Sequence, residues 1–565
     1  MKIICVTGGV LSGIGKGITG ASIGAILKSA GYRIFMQKFD GYLNIDPGTM
    51  NPIEHGEVFV TDDGAETDLD IGHYERYIDT SLTSDSSRTT GKIYQEIFDK
   101  ERRGEFLGHT VQVVSHVAHL VQEKILAPFA SFSHPACPVL NCGELDSGSL
   151  TQGDCESSPQ GRNDNGENID ISLVEIGGTV GDMENEYLIE AVRQLRHRFG
   201  DDSVLFVHLV YLPYLGASGE LKTKPAQNSV RDLRARGIEP DILVVRADQP
   251  IDRHLIKKIS LMTGLPEECV IPSPTVKSIY QVPVNYHGYG LGSLIIHKLG
   301  LEQRAFDLSM RNSLVHHIDT ADKVLKIAMV GKYTALEDAY YSLNEGLKVA
   351  GYWQGAKVKL EFVDSERLER QNISEILSPY DGIVIPGGFG NRGIEGMILA
   401  AQYAREHSIP YLGICLGSQI MAIEFARNVL GYSDADSEEF SHDGVHNVVH
   451  LMESQKGIYK KGGTMRLGSY KCKLDPSSLA FQLYAREFIS ERHRHRYEFN
   501  NDFRQEFEKN GFHISGTSLD GELVEVVEIA EHPFMIATQA HPEFKSRPLS
   551  PHPLFVGLIK AMMKT

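Results

Sequence analysis

An α/β fold is predicted, with two doubly wound parallel-sheet domains in succession. Two observations carry it. Short apolar runs alternate with helix-like stretches in the first half, and the same rhythm restarts near residue 324. In order, residues 3–7 (IICVT) read as a buried strand, 8–17 as a glycine-rich turn, and 18–29 as the helix behind it. Residues 203–211 (SVLFVHLVY) and 241–245 read as further strands. After the restart, 326–330, 357–363, 381–386 and 411–414 read as strands, with helices over 337–350 and 395–407. The mixed polar stretch 300–323 suits a linker, which gives domains over 1–299 and 324–565. Residues 127–170 hold four prolines, three of the seven cysteines and many Ser, Gly and Asn. Such a composition buries little, so an irregular surface insertion is expected there.

Composition excludes several function classes. With 41% hydrophobic and 23% charged residues, the chain is neither disordered nor low-complexity. A net charge of −18 argues against broad capture of DNA or RNA. No apolar run approaches the roughly 18 residues that span a membrane. Residues 1–30 are weakly similar to a signal peptide, but Gly8, Gly9, Gly13, Gly15, Lys16 and Gly17 break the apolar run. Seven cysteines, an odd and small number for 565 residues, point to reduced thiols and a cytoplasmic location. His134, Cys137, Cys142 and Cys155 in the insertion are weighed as zinc ligands, but their spacing is not paired and a solvated loop is preferred.

The loop Gly8 to Gly17 (GGVLSGIGKG) lies between a strand and a helix, the context of a phosphate-binding loop: backbone N–H groups and a helix N-terminus face an anion, and Lys16 adds charge. A glycine-rich packing turn is the alternative. Gly17 stands where a Ser or Thr would hold Mg²⁺, so a metal ligand must come from elsewhere. Asp70 and Glu175 are the carboxylates preferred for Mg²⁺, each beside an apolar segment. Asp62 and Asp63 are read as a solvated acidic loop, and Asp68 and Asp70 would share a face if extended. Asp182 and Glu184 follow on a glycine-rich turn. Lys222 and Lys224, with Lys38, Arg246 and Lys258 as candidates to join them, could focus a positive field on a polyphosphate or could be a solvated basic run.

In the second half, Gly413-Ile414-Cys415-Leu416-Gly417 reads as a strand–turn–helix elbow that exposes a sulfur. A helix N-terminus favours the thiolate. His541 follows an apolar run and can take the proton, and Glu543 can orient its imidazole. The glycine loop at 386–390 (PGGFG) can offer a backbone N–H that, with that of Leu416, forms an oxyanion hole. Cys5, Cys269 and Cys472 lack such surroundings and read as structural.

Taken together, these motifs resemble the CTP synthase family, glutamine-dependent ligases that aminate UTP. NIDPGTMNP (44–52), HGEVFVTDDGAETDLDIGHYERY (55–77), ERRGEFLG (101–108), EIGGTVGD (175–182) and KTKP (222–225) are similar to its synthetase domain. PGGFGNRGIEG (386–396), GICLGSQ (413–419), GGTMRLG (462–468), ERHRHRYE (491–498) and HPEF (541–544) are similar to its class I glutaminase domain. The long 55–77 block is the part specific to this enzyme. The resemblance implies a phosphate-loop synthetase domain followed by a class I glutaminase domain. It implies that Gly15, Lys16, Gly17, Lys38 and Arg246 meet ATP, and that Asp70 and Glu175 bind Mg²⁺. Ser12, Lys222, Lys224, Gln227 and Lys258 would hold UTP, and Asp182, Met183 and Glu184 would also meet CTP, the feedback inhibitor. Cys415, His541 and Glu543 would form the triad, with Gly388 and Leu416 at the oxyanion. Gly388, Gln419, Glu439 and Arg496 would grip glutamine, and Arg392 and Glu395 would lie where GTP, the activator, acts. A cytoplasmic homotetramer is implied, and filaments are known for the family. Three positions depart from the family pattern. Gly13 stands for a serine, Gly41 for a proline common in bacterial members, and Ser86-Ser87-Arg88 precedes TTGKIY where asparagine is usual.

The chemistry implied is transfer of the ATP γ-phosphoryl to the uracil 4-oxygen, then attack by ammonia on carbon 4. Ammonia made locally and carried in an enclosed passage would escape protonation. Two rival readings remain. Another phosphate-activating amidotransferase would lack the 55–77 block and the KTKP cluster, and a purely structural filament component would not need every catalytic residue.

Overall fold

The computed structural model describes residues 1–51, 55–129, 161–162, 168–332, 337–441, 444–455, 457 and 462–564. His134, Cys137, Cys142 and Cys155 lie outside the described residues. The expected insertion is packed at its described ends, where Phe129 and Ile169 are buried and Asp170 pairs with Arg33 at 2.6 Å.

Two compact units are present: Met1–Ile45 with Asp85–Leu308, and Asp46–Ser84 with Ser309–Thr565. Residues 46–84, expected with the first domain, pack in the second unit. Their charged side chains find partners there, as detailed below. The expected linker is partly a helix, Ser309–Thr320, with Arg311, Leu314 and Ile318 buried.

Among the described residues the first unit is built on a seven-stranded sheet, in the order Val270–Pro274, Ile242–Ala247, Val204–Tyr211, Lys2–Gly8, Ile171–Ile176, Ile34–Asp40, Ser87–Thr89. Every pairing in it is parallel. Burial on both faces explains the unbroken apolar runs: six of the seven residues of Lys2–Gly8 are buried, and the whole of Ile171–Ile176. Leu188, Val192 and Leu195 recur at helical spacing along Glu186–Phe199 and pack with Ile3, Cys5, Val174 and Phe206 of the strands.

Among the described residues the second unit carries a nine-stranded mixed sheet. Ala356–Asp364, Lys323–Gly331, Gly382–Ile385, Tyr411–Ile414 and Met535–Thr538 run parallel in that order. Val524–Ile529, Phe512–Ser518, Arg466–Leu474 and Phe488–His495 then extend it antiparallel. This antiparallel wing was not anticipated. Phe488–His495 is rich in charge rather than in alternating apolar residues, and burial finds its polar members, Arg492 and His493 among them. Helices Ile394–Glu406 and Leu416–Asn428 cover one face through Met397, Ala401, Ile420 and Ile423. Tyr341–Trp353 and Pro553–Lys564 cover the other through Leu343, Leu347, Leu558 and Ile559. Both units therefore expose loops at the carboxyl ends of parallel strands, where open α/β sheets bind ligands.

Gly9, just past the first strand, shows how tightly one such loop is set. A Cβ there would stand 1.7 Å from Ser229 Oγ. Overpacking of this kind costs about 1–3 kcal/mol. Gly9→Ala should lower the thermal unfolding midpoint of the first unit, measured by circular dichroism; an unchanged midpoint would mean that the loop rearranges freely.

Candidate active site

Cys415 sits between the strand Tyr411–Ile414 and the helix Leu416–Asn428, at φ 52° and ψ −100°. A non-glycine residue seldom adopts a positive φ, and strain of this kind accompanies functional turns. The turn closes because its flanking glycines are in near contact. A Cβ on Gly413 would lie 2.5 Å from Gly417 O, and one on Gly417 2.1 Å from Ile385 O. The Cys415 thiol is buried, 3.8 Å from the Arg494 carbonyl oxygen, and accepts from Gln539 Nε2 at 3.6 Å.

His541 ends the strand-and-turn that follows Met535–Thr538. Its Nδ1 lies 2.7 Å from Glu543 Oε1, which fixes Nε2 as the nitrogen left for chemistry. Nε2 is buried and makes no hydrogen bond among the described residues. Burial by itself would lower the His541 pKa. The Glu543 carboxylate and the Cys415 sulfur outweigh it and raise the value to about 10. Gly387 lies against both side chains: a Cβ there would stand 2.9 Å from His541 Cε1 and 3.6 Å from Cys415 Cβ. Gly388 lies against Leu416, whose Cδ2 would be 3.3 Å from a Cβ at Gly388. Those are the two residues expected at the oxyanion.

Cys415, His541, Glu543, Gly388 and Arg496 line one cavity of about 390 Å³. Arg496 donates to Gln455 Oε1 at 2.6 Å and Thr464 Oγ1 at 3.1 Å. Glu439 accepts from Gly390 N at 2.7 Å, so it is tied to the glycine loop. Burial raises its pKa, against the Gly390 hydrogen bond and the Lys332 charge. Gln419 is buried and donates to Tyr497 O at 3.1 Å and to Gln539 Oε1 at 3.2 Å, the residue that reaches the sulfur. Arg392 donates to the Lys332 carbonyl, and Glu395 pairs with Arg427 at 2.8 Å.

Three lining or contacting residues went unread in the sequence. Gln539, two residues before His541, is polar and buried at the end of an apolar run, and that mismatch was the available signal. Arg494 and Glu57 gave none. Glu57 accepts from Ser342 N at 3.1 Å, and burial, opposed by Ser342 and assisted by Glu543, raises its pKa to about 7. Asp62, read as solvated, is instead paired with Arg492 at 2.7 Å and Lys545 at 3.2 Å. Burial opposes ionisation there, but those two cations hold its carboxyl well below the usual range. The shared extended face expected of Asp68 and Asp70 is absent, because the strand Glu66–Asp68 ends where the helix Leu69–Ile78 begins. Asp70 lies in the first turn of that helix.

In the first unit, Gly15 caps the helix Lys16–Ser29 at φ 92°, and Lys16 Nζ donates to Gly178 O at 2.6 Å. Gly17 is in the first turn, and Ser12 is exposed in the loop. Val180 N donates to Gly8 O at 2.8 Å, so the EIGGTVGD turn and the glycine loop are joined. Glu175 is buried on the strand beside that turn, in register with Lys38, and Lys38 Nζ lies 3.2 Å from Asp40 Oδ2. Thr7 and Ser229 hydrogen bond to the two nitrogens of buried His208, at 2.9 and 2.8 Å. Burial, then the Lys16 charge, lowers its pKa to about 3, so it stays neutral. Asp182, Met183 and Glu184 are exposed, with Asp182 Oδ2 accepting from Thr179 N. Arg246 donates to Ser273 O at 3.2 Å, and Gln227 to Thr223 Oγ1 at 3.1 Å. Lys222 pairs with Glu220, whose pKa it lowers with help from Lys258, while Lys224 is exposed at the start of the helix Lys224–Ala235. At Gly41 a Cβ would meet Asn185 Oδ1 at 2.3 Å, so glycine suits this loop as it stands. No helix is long and apolar enough to cross a membrane among the described residues.

Comparison with known proteins adds the following. Residues 2–301 match the family model described as CTP synthase N-terminus, and 335–561 that described as glutamine amidotransferase class-I. The CTP synthase of Carboxydothermus hydrogenoformans is 49% identical over 564 residues, covering 100% of this chain and 99% of the relative. That of Halalkalibacterium halodurans is 47% identical over 563 residues, covering 100% and 99%. A solved structure titled Trypanosoma brucei CTPS glutaminase domain with bound acivicin is 38% identical, covers 43% of this chain and 94% of its own, and has a TM-score of 0.40.

The His541–Glu543 pair sets a pH signature. A histidine whose folded pKa is raised contributes stability in full below its unfolded value near 6.5, and that contribution is lost as pH rises through about 10. Glu543→Gln should therefore lower the thermal unfolding midpoint more at about pH 6 than at about pH 10, measured by circular dichroism; an equal loss at both pH values would show that Glu543 does not govern the imidazole.

Proposed function

The chain belongs to the CTP synthase family, and from that we propose how its own residues share the ATP-dependent amination of UTP to CTP with nitrogen from glutamine. One observation carries the reading: a strained thiol elbow with its His–Glu pair and a lysine-bearing glycine loop each stand at the carboxyl end of a parallel strand. Glutamine hydrolysis proceeds by attack of Cys415 Sγ on the carboxamide carbon. His541 holds the thiol proton and returns it to the departing ammonia, Glu543 orients the ring, and the N–H groups of Gly388 and Leu416 face the oxyanion. Water then releases glutamate from the thioester. Glu439 and Arg496 are assigned to the amino and carboxylate ends of glutamine. Arg496 lines the same cavity as the thiol. Gly388 and Gln419 are assigned to glutamine as well; Gln419 bonds Gln539, which reaches the sulfur.

For the synthetase step, Gly15, Lys16, Gly17, Lys38 and Arg246 are assigned to ATP. Ser12, Asp182, Met183, Glu184, Lys222, Lys224, Gln227 and Lys258 are assigned to UTP and to CTP as inhibitor. The uracil 4-oxygen leaves poorly until it carries the γ-phosphoryl group; phosphate then departs as ammonia attacks carbon 4. Asp70 and Glu175 are assigned to Mg²⁺. Each is a hard oxygen donor of the kind Mg²⁺ prefers: Glu175 is buried in the first unit beside the turn that is joined to the glycine loop, and Asp70 stands on a helix of the second unit. The ion, when bound, neutralises phosphate charge. Arg392 and Glu395 are assigned to GTP as activator. Homotetramers and filaments are the assemblies the family suggests.

Cys415→Ala separates the two chemistries. It should abolish CTP formation from glutamine, followed by absorbance with UTP, ATP and Mg²⁺, while formation from ammonium chloride stays within about twofold of the unaltered chain. Loss of both rates would count against separate sites.

A further inference from the structure

The base of the glutaminase triad is held by a segment that the sequence places far from it. Glu75, on the helix Leu69–Ile78, has no exposed side-chain surface and grips the equally buried Arg492 with both oxygens, at 2.9 and 3.0 Å. Its Oε2 also accepts from Arg547 Nη2 at 2.6 Å. Both arginines reach the turn that carries the triad. Arg492 Nη1 and Arg547 Nη1 donate to Phe544 O at 3.3 and 2.9 Å, and the Arg492 carbonyl accepts from His541 N at 2.8 Å. The turn 541–544 is thus held at its first N–H and its last C=O. The Phe544 ring stacks on His541 at 5.0 Å and meets Phe59, from the same 46–84 segment, edge-on at 5.1 Å.

We propose that Glu75 is a positioning residue for the glutaminase: through Arg492 and Arg547 it sets the His541–Glu543 turn in the geometry that proton transfer with Cys415 needs. This rests on the reading of the thiol site given above. It also goes beyond that reading, because it makes hydrolysis of glutamine depend on the block, residues 55–77, that otherwise distinguishes the synthetase half. The physical ground is that Arg492 is surrounded by fixed acceptors and cannot shed its charge. When its main carboxylate is neutralised, the guanidinium turns toward its remaining partners, and the turn it grips moves with it. Misplacement of a catalytic group by about 1 Å costs about 100-fold in rate.

The test uses the full-length chain carrying Glu75→Gln, Arg547→Met, or both, with two readouts: glutamate release from glutamine, and CTP formation from ammonium chloride. The expected result for Glu75→Gln is a kcat for glutamate release lower by about 100-fold, with the KM for glutamine and the ammonia-driven rate within about twofold of the unaltered chain. Because the two residues act on one turn, the double variant should cost no more than the worse single variant. A parallel fall of the ammonia-driven rate would reveal general structural damage and overturn the proposal. So would an unchanged kcat, or full additivity of the two variants. Glutamate release decides the matter even if the unaltered chain formed no CTP, an outcome that would overturn only the assignment of the synthetase step.

Discussion

The second unit is built around a buried cation, Arg492. Its guanidinium is shut off from water, and burial would lower its pKa were it not for Glu75 and Asp62, which raise it. An arginine cannot escape the cost by losing a proton, so the fold must bring carboxylates to it. Both carboxylates come from residues 46–84. Leaving such a cation uncompensated costs about 3–5 kcal/mol, which is a large part of a domain's stability. Arg494 repeats the pattern with Glu66 at 2.9 Å, and Glu57 and Arg76 both bond Ser342. Hence a stretch of chain that begins after the second strand of one sheet is structurally a part of the other unit.

Each unit uses the same device at its strand ends. A parallel strand stops, glycines let the backbone pass within contact distance of a neighbour, and a helix begins with its N–H groups exposed. In the first unit the device presents Lys16, and in the second Cys415. The thiols differ in their surroundings. Burial pushes the Cys5 and Cys472 thiols up, and that of Cys269 also, which keeps them as inert apolar groups. Cys415 instead stands on a strained turn, beside an imidazole held cationic by Glu543.

Legibility followed the range of the interactions. The strands 3–7 and 411–414, the glycine loop, the elbow and the HPEF turn were readable because each is a local pattern: an apolar run, a tight turn, a helix start. The fold class followed from their rhythm, though the antiparallel wing did not. Its strand Phe488–His495 is polar where isolated-strand rules expect alternation, and the carboxylates that match its buried Arg492 stand more than four hundred positions away. Asp62 was misread for the same reason. An acidic loop looks solvated until its cations are known.

The amino-acid order alone pointed to two α/β units and to the family, and it singled out Cys415, His541 and Glu543, because each depends on residues near one another in the chain or on the motifs themselves. Folding had to add the allegiance of residues 46–84, the burial of Gln419 and Gln539 behind the sulfur, and the grip of Glu75 on the His541 turn. Those rest on ion pairs and hydrogen bonds between distant segments. No local pattern encodes them, because which charge finds which partner is settled when burial removes water as the alternative.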